Sequence, residues 1–364
     1  MKQAIQAAAA IGALMAAMSG QARADLVLSG PDSSDGTYST AGLSAVATGG
    51  DTVSSGGVTG ISLWGLLGGA NASGSTSPVY GDITTSTPAG DNGKNAILRY
   101  YLLATSAGGQ QSVVSLGEID PNFGGTAATP AFIAFQNTGS TLLTAPDLIV
   151  PGAPGRDLTN VTSLQLLSVP ALPAIPTSPG GESISVTLSG RVTNPNVYTA
   201  AGLQNDFTPV TESVSGDSYT GVPLWTFLNP SDSNITDQIV VTQATDGYEV
   251  VLSLAELDPA LGGNPDDLLP YADTNGNFPN DGVARTIFPT DNAHGRWESN
   301  LDAIVVETVP EPGPFSLLLL ATIATGAVRW RWSRGAVGVQ SSPAVRLDGK
   351  RHCLPPSSHG ERTV

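Results

Sequence analysis

Ser253-Leu254-Ala255-Glu256-Leu257-Asp258-Pro259 decides how this chain is read, because Ser115-Leu116-Gly117-Glu118-Ile119-Asp120-Pro121 answers it at an offset of 138 residues. The doubling extends in both directions. Leu28-Ser29-Gly30 with Tyr38 and Ala41-Gly42-Leu43 matches Leu188-Ser189-Gly190 with Tyr198 and Ala201-Gly202-Leu203, at an offset of 160. Thr59-Gly60-Ile61-Ser62-Leu63-Trp64-Gly65-Leu66-Leu67 matches Thr220-Gly221-Val222-Pro223-Leu224-Trp225-Thr226-Phe227-Leu228, and Gly155-Arg156-Asp157-Leu158-Thr159-Asn160 matches Gly295-Arg296-Trp297-Glu298-Ser299-Asn300. The falling offset places an insertion of about 22 residues in the first copy, where Gly68 to Gly93 is rich in Gly, Ser, Thr and Asn and reads as a surface loop. Two homologous domains follow, at 25–169 and 184–308. The segment 170–183, with prolines at 170, 173, 176 and 179, reads as a semi-rigid linker.

Each copy is patterned for strands. Ile239-Val240-Val241-Thr242, Glu249-Val250-Val251-Leu252 and Ala303-Ile304-Val305-Val306 are short β-branched runs bounded by turn formers. Asp246-Gly247 between the first two favours a hairpin. Ser253 with Glu256 three residues on is the pattern of a capped turn, and the Leu-Trp-x-x-Leu segments suit one or two helical turns. The expected fold is mainly β (α+β): two tandem β-rich sandwich-like domains with short helices, each with its own core, and Trp64 and Trp225 in equivalent buried sites.

Composition removes several functions. Between 25 and 309 there are 28 Asp and Glu against six Lys and Arg (Lys94, Arg99, Arg156, Arg191, Arg285, Arg296), a formal charge of −22. Nucleic-acid binding needs clustered cations and is discarded. The acidity reads as colloidal solubility, or alternatively as divalent cations bridging protein to matrix polymer. The single cysteine, Cys353, lies outside this body, which excludes disulfides, a cysteine nucleophile and thiolate-bound metal within it. His294 is the one histidine of the body; no nucleophile elbow, phosphate loop or dinucleotide fingerprint occurs. Glu118 with Asp120 and Glu256 with Asp258 sit at matching places in both copies and read as cap and turn residues rather than a glycosidase pair.

The two ends read as export signals. Lys2, the apolar Ala4 to Met18 and Ala22-Arg23-Ala24 have the pattern of a secretory signal peptide over 1–24, with a mature start at Asp25. At the other end Pro310-Glu311-Pro312, an apolar run over 315–328 and the basic cluster Arg329, Arg331 and Arg334 resemble the PEP-CTERM sorting signal (309–334) of Gram-negative, exopolysaccharide-making bacteria. That resemblance implies signal peptidase and an exosortase as partners during export, a transient transmembrane helix at 315–328, and a cell-surface or extracellular-matrix location with extracellular polysaccharide as a candidate partner. A plain membrane anchor is the alternative. Residues 335–364, expected to be a disordered basic tail, extend beyond where that signal normally stops.

The second copy also carries Tyr219-Thr220-Gly221-Val222-Pro223-Leu224-Trp225, Asp246-Gly247-Tyr248 with the Ser253–Pro259 stretch, then Phe288-Pro289-Thr290-Asp291 and Gly295-Arg296-Trp297. In this order they resemble the oxidoreductase molybdopterin-binding domain of the sulfite oxidase type. The first copy repeats them more weakly, with Gly108-Gly109-Gln110 for the Asp-Gly-Tyr turn and no Trp after Arg156. The resemblance implies a β-rich fold for each copy and, for a cofactor-bearing member, a cysteine on molybdenum and cations on the pterin phosphate. Gln204-Asn205-Asp206-Phe207-Thr208, where the ligand is sought, has no cysteine. Arg285, His294 and Arg296 are the cations that could face a phosphate; Arg296 could instead pair with Glu298 or Asp291. Asp273-x-Asn275-x-Asn277 with Asp281 is an alternating oxygen run that a calcium ion could use, but Phe278 and Ala284 replace the glycine and glutamate an EF-hand needs, which suits a polar hairpin loop better. The expectation is an exported, noncatalytic structural or binding module with no catalytic residues and no cofactor. The rival is a periplasmic or extracellular molybdopterin-dependent oxidoreductase that uses the second copy.

Overall fold

The computed structural model describes residues 24–30, 35–47, 51–68, 95–125, 129–169, 181–274, 276–277 and 282–309. The stretch read as a signal peptide up to residue 23, most of the expected linker, the glycine-rich insertion from residue 69, the expected sorting signal from Pro310 with its apolar run, Cys353 and the tail lie outside them. Among the described residues no helix is long and apolar enough to cross a membrane.

The first repeat comprises β1 (Leu26–Ser29), β2 (Gly36–Tyr38), the helix Thr40–Val46, β3 (Thr52–Ser55), β4 (Val58–Ser62), the helix Leu63–Leu66, β5 (Tyr100–Ser106), β6 (Gln111–Ser115), the helix Leu116–Ile119, β7 (Phe132–Asn137), β8 (Leu142–Ile149) and β9 (Val161–Ser168). The second has β10 (Val186–Gly190), β11 (Asn196–Tyr198), the helix Ala200–Asp206, β12 (Val210–Val214), β13 (Asp217–Pro223), the helix Leu224–Leu228, β14 (Gln238–Ala244), β15 (Glu249–Ser253), β16 (Leu268–Asp273), β17 (Gly276–Asn277) and β18 (Leu301–Thr308). Sheet orders coincide. The five-stranded sheets run β2-β1-β9-β5-β6 and β11-β10-β18-β14-β15; the four-stranded sheets run β3-β4-β7-β8 and β12-β13-β16-β17. In each repeat the first and last strands pair in parallel, so each closes upon itself. The chain is mainly β, as its strand pattern indicated.

The sequence repeats mark the positions where backbone geometry is most demanding. Both Thr-Gly pairs fall at register shifts, Thr59/Gly60 and Thr220/Gly221. A Cβ on Gly60 would lie 2.1 Å from the Ile133 carbonyl oxygen, and one on Gly221 2.3 Å from that of Leu269, so only glycine lets these strands close. Asn160 and Asn300 both take φ 55°, the left-handed region asparagine tolerates. Ser39 and Thr199 each cap the helix that follows, accepting from the glycine nitrogens of Gly42 and Gly202. Asp246-Gly247 makes the β14–β15 turn, with Gly247 at φ 85°.

The central strands show why their apolar runs are continuous rather than alternating. Leu102, Ala104 and Val240 point into the main core, while Tyr101, Leu103, Val113 and Val169 meet Ile239, Val241, Val251 and Val309 in a second apolar layer. Thus β5 and β14 are covered on both faces, one by their own repeat and one by the other. Edge strands β6 and β15 lie alongside each other, and the Val113 nitrogen donates to the Thr236 carbonyl at 2.7 Å. The repeats therefore pack against each other within one compact unit that runs to Val309.

One expected equivalence fails. Trp64 is 4 % exposed, whereas Trp225 is only half-buried at the edge of the core. Phe227, which stands where the first repeat has Leu66, fills the interior instead and packs on Tyr198 and Phe207 at ring separations of 5.2 and 5.5 Å. Its helix also starts at Pro223, without the hydroxyl cap that Ser62 supplies.

Candidate binding site between the repeats

The two Ser-Leu-x-Glu turns and the two Gly-Arg turns meet where the repeats join. Arg156 ends the 3₁₀ turn Pro154–Arg156 and Arg296 the turn His294–Arg296; both are buried. Each arginine reaches the glutamate of its own repeat. Arg156 donates to both oxygens of Glu118, at 2.5 and 2.8 Å, and Arg296 donates to Glu256 at 3.0 Å. The serines then cross over. Ser115 Oγ donates to Glu256 Oε1 at 2.9 Å, while Arg156 Nη2 donates to Ser253 Oγ at 3.1 Å and to the Val113 carbonyl at 3.1 Å. Ser253 and Glu256 meanwhile form a capping box, Glu256 accepting from the Ser253 nitrogen and Ser253 from the Glu256 nitrogen. Gly117 is glycine because a Cβ there would come within 2.8 Å of Arg296 Cδ across the junction.

Repeat 2 adds two carboxylates. Asp291 takes two bonds from Arg296, at 2.8 Å from Nε and 2.5 Å from Nη2. Asp267 stands at the base of β16, where repeat 1 has Ala131: the Leu224 and Leu63 nitrogens donate to the carbonyls of Asp267 and Ala131 respectively. Asp267 is 8 % exposed, and its side chain accepts one long bond, from Asn264 Nδ2 at 3.3 Å. It has no arginine of its own.

These groups line a cleft of about 230 Å³ between the repeats, with Glu118, Arg156, Glu256, Arg296 and Asp267 on its surface. Four carboxylates, with Asp291 counted, face two guanidinium groups. Burial pushes the Glu256 carboxyl up to about 7, reinforced by Glu118 and opposed by Arg296 and Arg156. Glu256 is raised although it pairs with Arg296, because that arginine is shared with Asp291 and desolvation outweighs the remaining attraction. Burial likewise raises Asp267 well above the usual carboxylate range, with Arg296 opposing and Glu256 and Asp291 adding to the rise. For Arg296 burial acts to lower its affinity for the proton, but the bonds to Asp291 and the charge of Glu256 prevail and hold it firmly cationic.

The junction is extended by further contacts between repeats: Arg99 with Glu249, Asn95 Nδ2 to Tyr248 Oη at 2.9 Å, and Asn292 Nδ2 to the Pro121 carbonyl at 2.8 Å. Tyr248 Oη donates onward to the Gly295 carbonyl at 2.7 Å.

Of the three cations considered for a pterin phosphate, two meet on one indole and the third turns away. The His294 ring stacks on Trp297 at 3.7 Å and Arg285 lies over the same indole at 6.0 Å, while Arg296 turns away to Asp291 and Glu256 and sits 4.4 Å over Phe288. A guanidinium already held by two carboxylates cannot also neutralise a phosphate dianion, so Arg296 does not fit that role. Of the two alternatives for Arg296, the Asp291 pairing occurs. Glu298 instead accepts from Thr242 Oγ1 at 2.5 Å. Glu118 and Glu256 act as turn residues, Asp258 and Asp120 accept from the Ala260 and Asn122 nitrogens, and the glutamates additionally hold the arginines. Asp273 ends β16 and pairs with Gly276 of β17, so the chain turns as a hairpin there. Asn275, the Asn277 side chain and Asp281 lie outside the described residues, among which no three His, Cys, Asp or Glu side chains converge as a metal site.

No family model matches the chain, and no curated protein matches it. Among solved structures the chain is similar to the sulfane dehydrogenase SoxCD from Paracoccus pantotrophus, at 15 % identity over 48 % of this chain and 47 % of that one, with a TM-score of 0.27. This chain thus spans about half the length of that protein, and a superposition of that quality carries no argument about either repeat.

Proposed function

We propose that this chain is exported, sorted through its Pro310-Glu311-Pro312 signal, and serves at the cell surface or in the extracellular matrix of a Gram-negative bacterium as a noncatalytic binding and structural module, built from two domains resembling the molybdopterin-binding fold. One observation carries the noncatalytic part: Arg296, the cation best placed by sequence to grip a cofactor, is consumed by Asp291 and Glu256 in an ion network that joins the repeats. The thiol-free, strongly acidic body supports the same reading, since it offers neither a soft ligand nor a basic surface. The two terminal sequence patterns support export and sorting.

Fractionation tests this. An antiserum against the body should find the protein outside the cell in an exosortase-competent strain, with an N-terminus near Asp25 and no peptides from 335–364, and should find it retained in the membrane when the exosortase is deleted. Cytoplasmic, full-length protein in both strains would overturn the proposal.

A further inference from the structure

An open groove of about 670 Å³ is lined wholly by repeat 2, between the helix Leu224–Leu228, the end of the helix Ala200–Asp206 and the 3₁₀ turn Pro259–Leu261. The repeats differ here in a way their cores do not demand. At aligned positions repeat 1 has Ala47 after its first helix and Trp64 in its second; repeat 2 has Phe207 and Trp225. Trp64 is buried, whereas Phe227 takes over the interior of repeat 2 and leaves Trp225 half-buried on the groove. No hydrogen bond from Trp225 Nε1 occurs among the described residues, while Trp297 Nε1 donates to the Phe288 carbonyl at 3.1 Å. Phe207 lines the same groove and is fixed by Tyr198 and Phe227, each at a ring separation of 5.5 Å. Polar groups complete the lining: Asn229, Asp232, Ser233 and Asp258. Arg191 donates to Asp232 at 3.0 Å and the Ala260 nitrogen to Asp258 at 2.9 Å, so both carboxylates are positioned before a ligand arrives.

We propose that this groove binds a linear, uncharged polysaccharide, with one hexopyranose ring stacked on Trp225 and its hydroxyls bonded to the polar lining. A pyranose has a face of weakly positive C–H hydrogens, which the electron-rich face of an indole attracts, and an edge of hydroxyls that donate and accept. An aromatic plane beside fixed carboxylates and an amide answers both surfaces. A purely apolar ligand would leave those polar side chains desolvated without partners. An anionic polymer is repelled, because two carboxylates but no Lys or Arg line the groove and the body as a whole is strongly acidic. The volume falls within the roughly 300–1,000 Å³ of small-molecule sites, and the open side lets a chain continue beyond the bound ring. This assignment rests on the binding-module reading and gives it a ligand class and a place on repeat 2.

Titration calorimetry on the protein purified from an export-competent host tests the proposal. Cellohexaose and mannohexaose are the probes, hexagalacturonate is the anionic control, and hexalysine represents a basic peptide. At least one neutral hexasaccharide should bind and change the tryptophan fluorescence, and hexagalacturonate should not bind. Trp225→Leu keeps apolar bulk without the ring and should weaken binding at least tenfold, whereas Trp225→Tyr should stay within a few-fold of the parent. Asp232→Ala alters a side chain that is 37 % exposed, so it should weaken binding at least threefold with the melting temperature unchanged. The assignment is overturned if neither neutral hexasaccharide binds, if hexagalacturonate binds as tightly, or if the Trp225→Leu and Asp232→Ala proteins bind normally. Hexalysine as the sole ligand would overturn it too, giving the groove to a basic peptide. None of these results depends on where the protein is found or on its molybdenum content, so failure here is distinguishable from failure of the exported, noncatalytic reading.

Discussion

Replacing Arg296 by methionine is the sharpest perturbation the ion network offers. The guanidinium is 5 % exposed and serves two carboxylates whose side chains are 0 % and 7 % exposed, Asp291 and Glu256. Opposite unit charges about 3 Å apart interact by roughly 5 kcal/mol at an effective dielectric near 20. Desolvation cancels much of that while both partners are present. It cancels none once the arginine is gone, and breaking a buried pair costs about 3–5 kcal/mol. The equivalent Arg156→Met leaves Glu118, whose side chain is 19 % exposed and can turn to water, and removes one donor each from the Ser253 hydroxyl and the Val113 carbonyl, which are neutral, so about 1–2 kcal/mol is expected there. In thermal unfolding at pH 7.5, Arg296→Met should lower the melting temperature by about 10 °C and Arg156→Met by less than half as much. Adding Glu256→Gln to Arg296→Met should restore part of the loss, because the two side chains are directly coupled. Equal losses for the two arginines, or none for Arg296, would refute the view that repeat 2 holds the network together.

The pH dependence has a definite sign: Glu256, Asp267 and Glu298 all hold their protons more tightly folded than unfolded, so their contribution to stability declines as pH rises from the ordinary carboxylate range, for Glu256 through about 7, and is flat above. Denaturant titrations at pH 5.5 and 8 should find the protein more stable at the lower value. Gly221→Ala places a Cβ 2.3 Å from a backbone carbonyl and should cost about 2 kcal/mol or more, with Gly60→Ala behaving alike; a neutral result in urea unfolding would show that these strands can part. Trp64→Ala should cost about 3–5 kcal/mol as a core truncation, and the half-buried Trp225→Ala about half of that, measured in the same way.

Much of the fold was legible because each repeated motif meets a local demand twice. Thr-Gly marks a bulge with no room for a side chain, Ser-Leu-x-Glu a capped turn, and Asn160 and Asn300 a left-handed residue, so the motifs could be aligned before any strand was placed. The packing of the repeats on each other was less legible, since alternation alone cannot say what covers the second face of a strand. The signal was nevertheless present: Tyr100-Tyr101-Leu102-Leu103-Ala104 has no polar face, as a strand buried on both sides requires. At the site, the Arg296–Asp291 pair was within reach of sequence because the two lie five residues apart. The crossing bonds of Ser115 and Arg156 join residues 141 and 97 positions apart in the other repeat, and only the docked sheets bring them together. Asp267 was missed because one acid among 28 carries no signal; what distinguishes it is the alanine in the other repeat, visible once β7 and β16 are superposed in register.

Molybdenum and pterin analysis of the protein, purified from an expression host competent to make the cofactor, tests the central claim most directly. With Arg296 held by Asp291 and Glu256 and no thiol in the body, the account predicts molybdenum far below one atom per chain and no pterin fluorescence after oxidation. One molybdenum and one pterin per chain would contradict it and restore the second repeat as a redox domain.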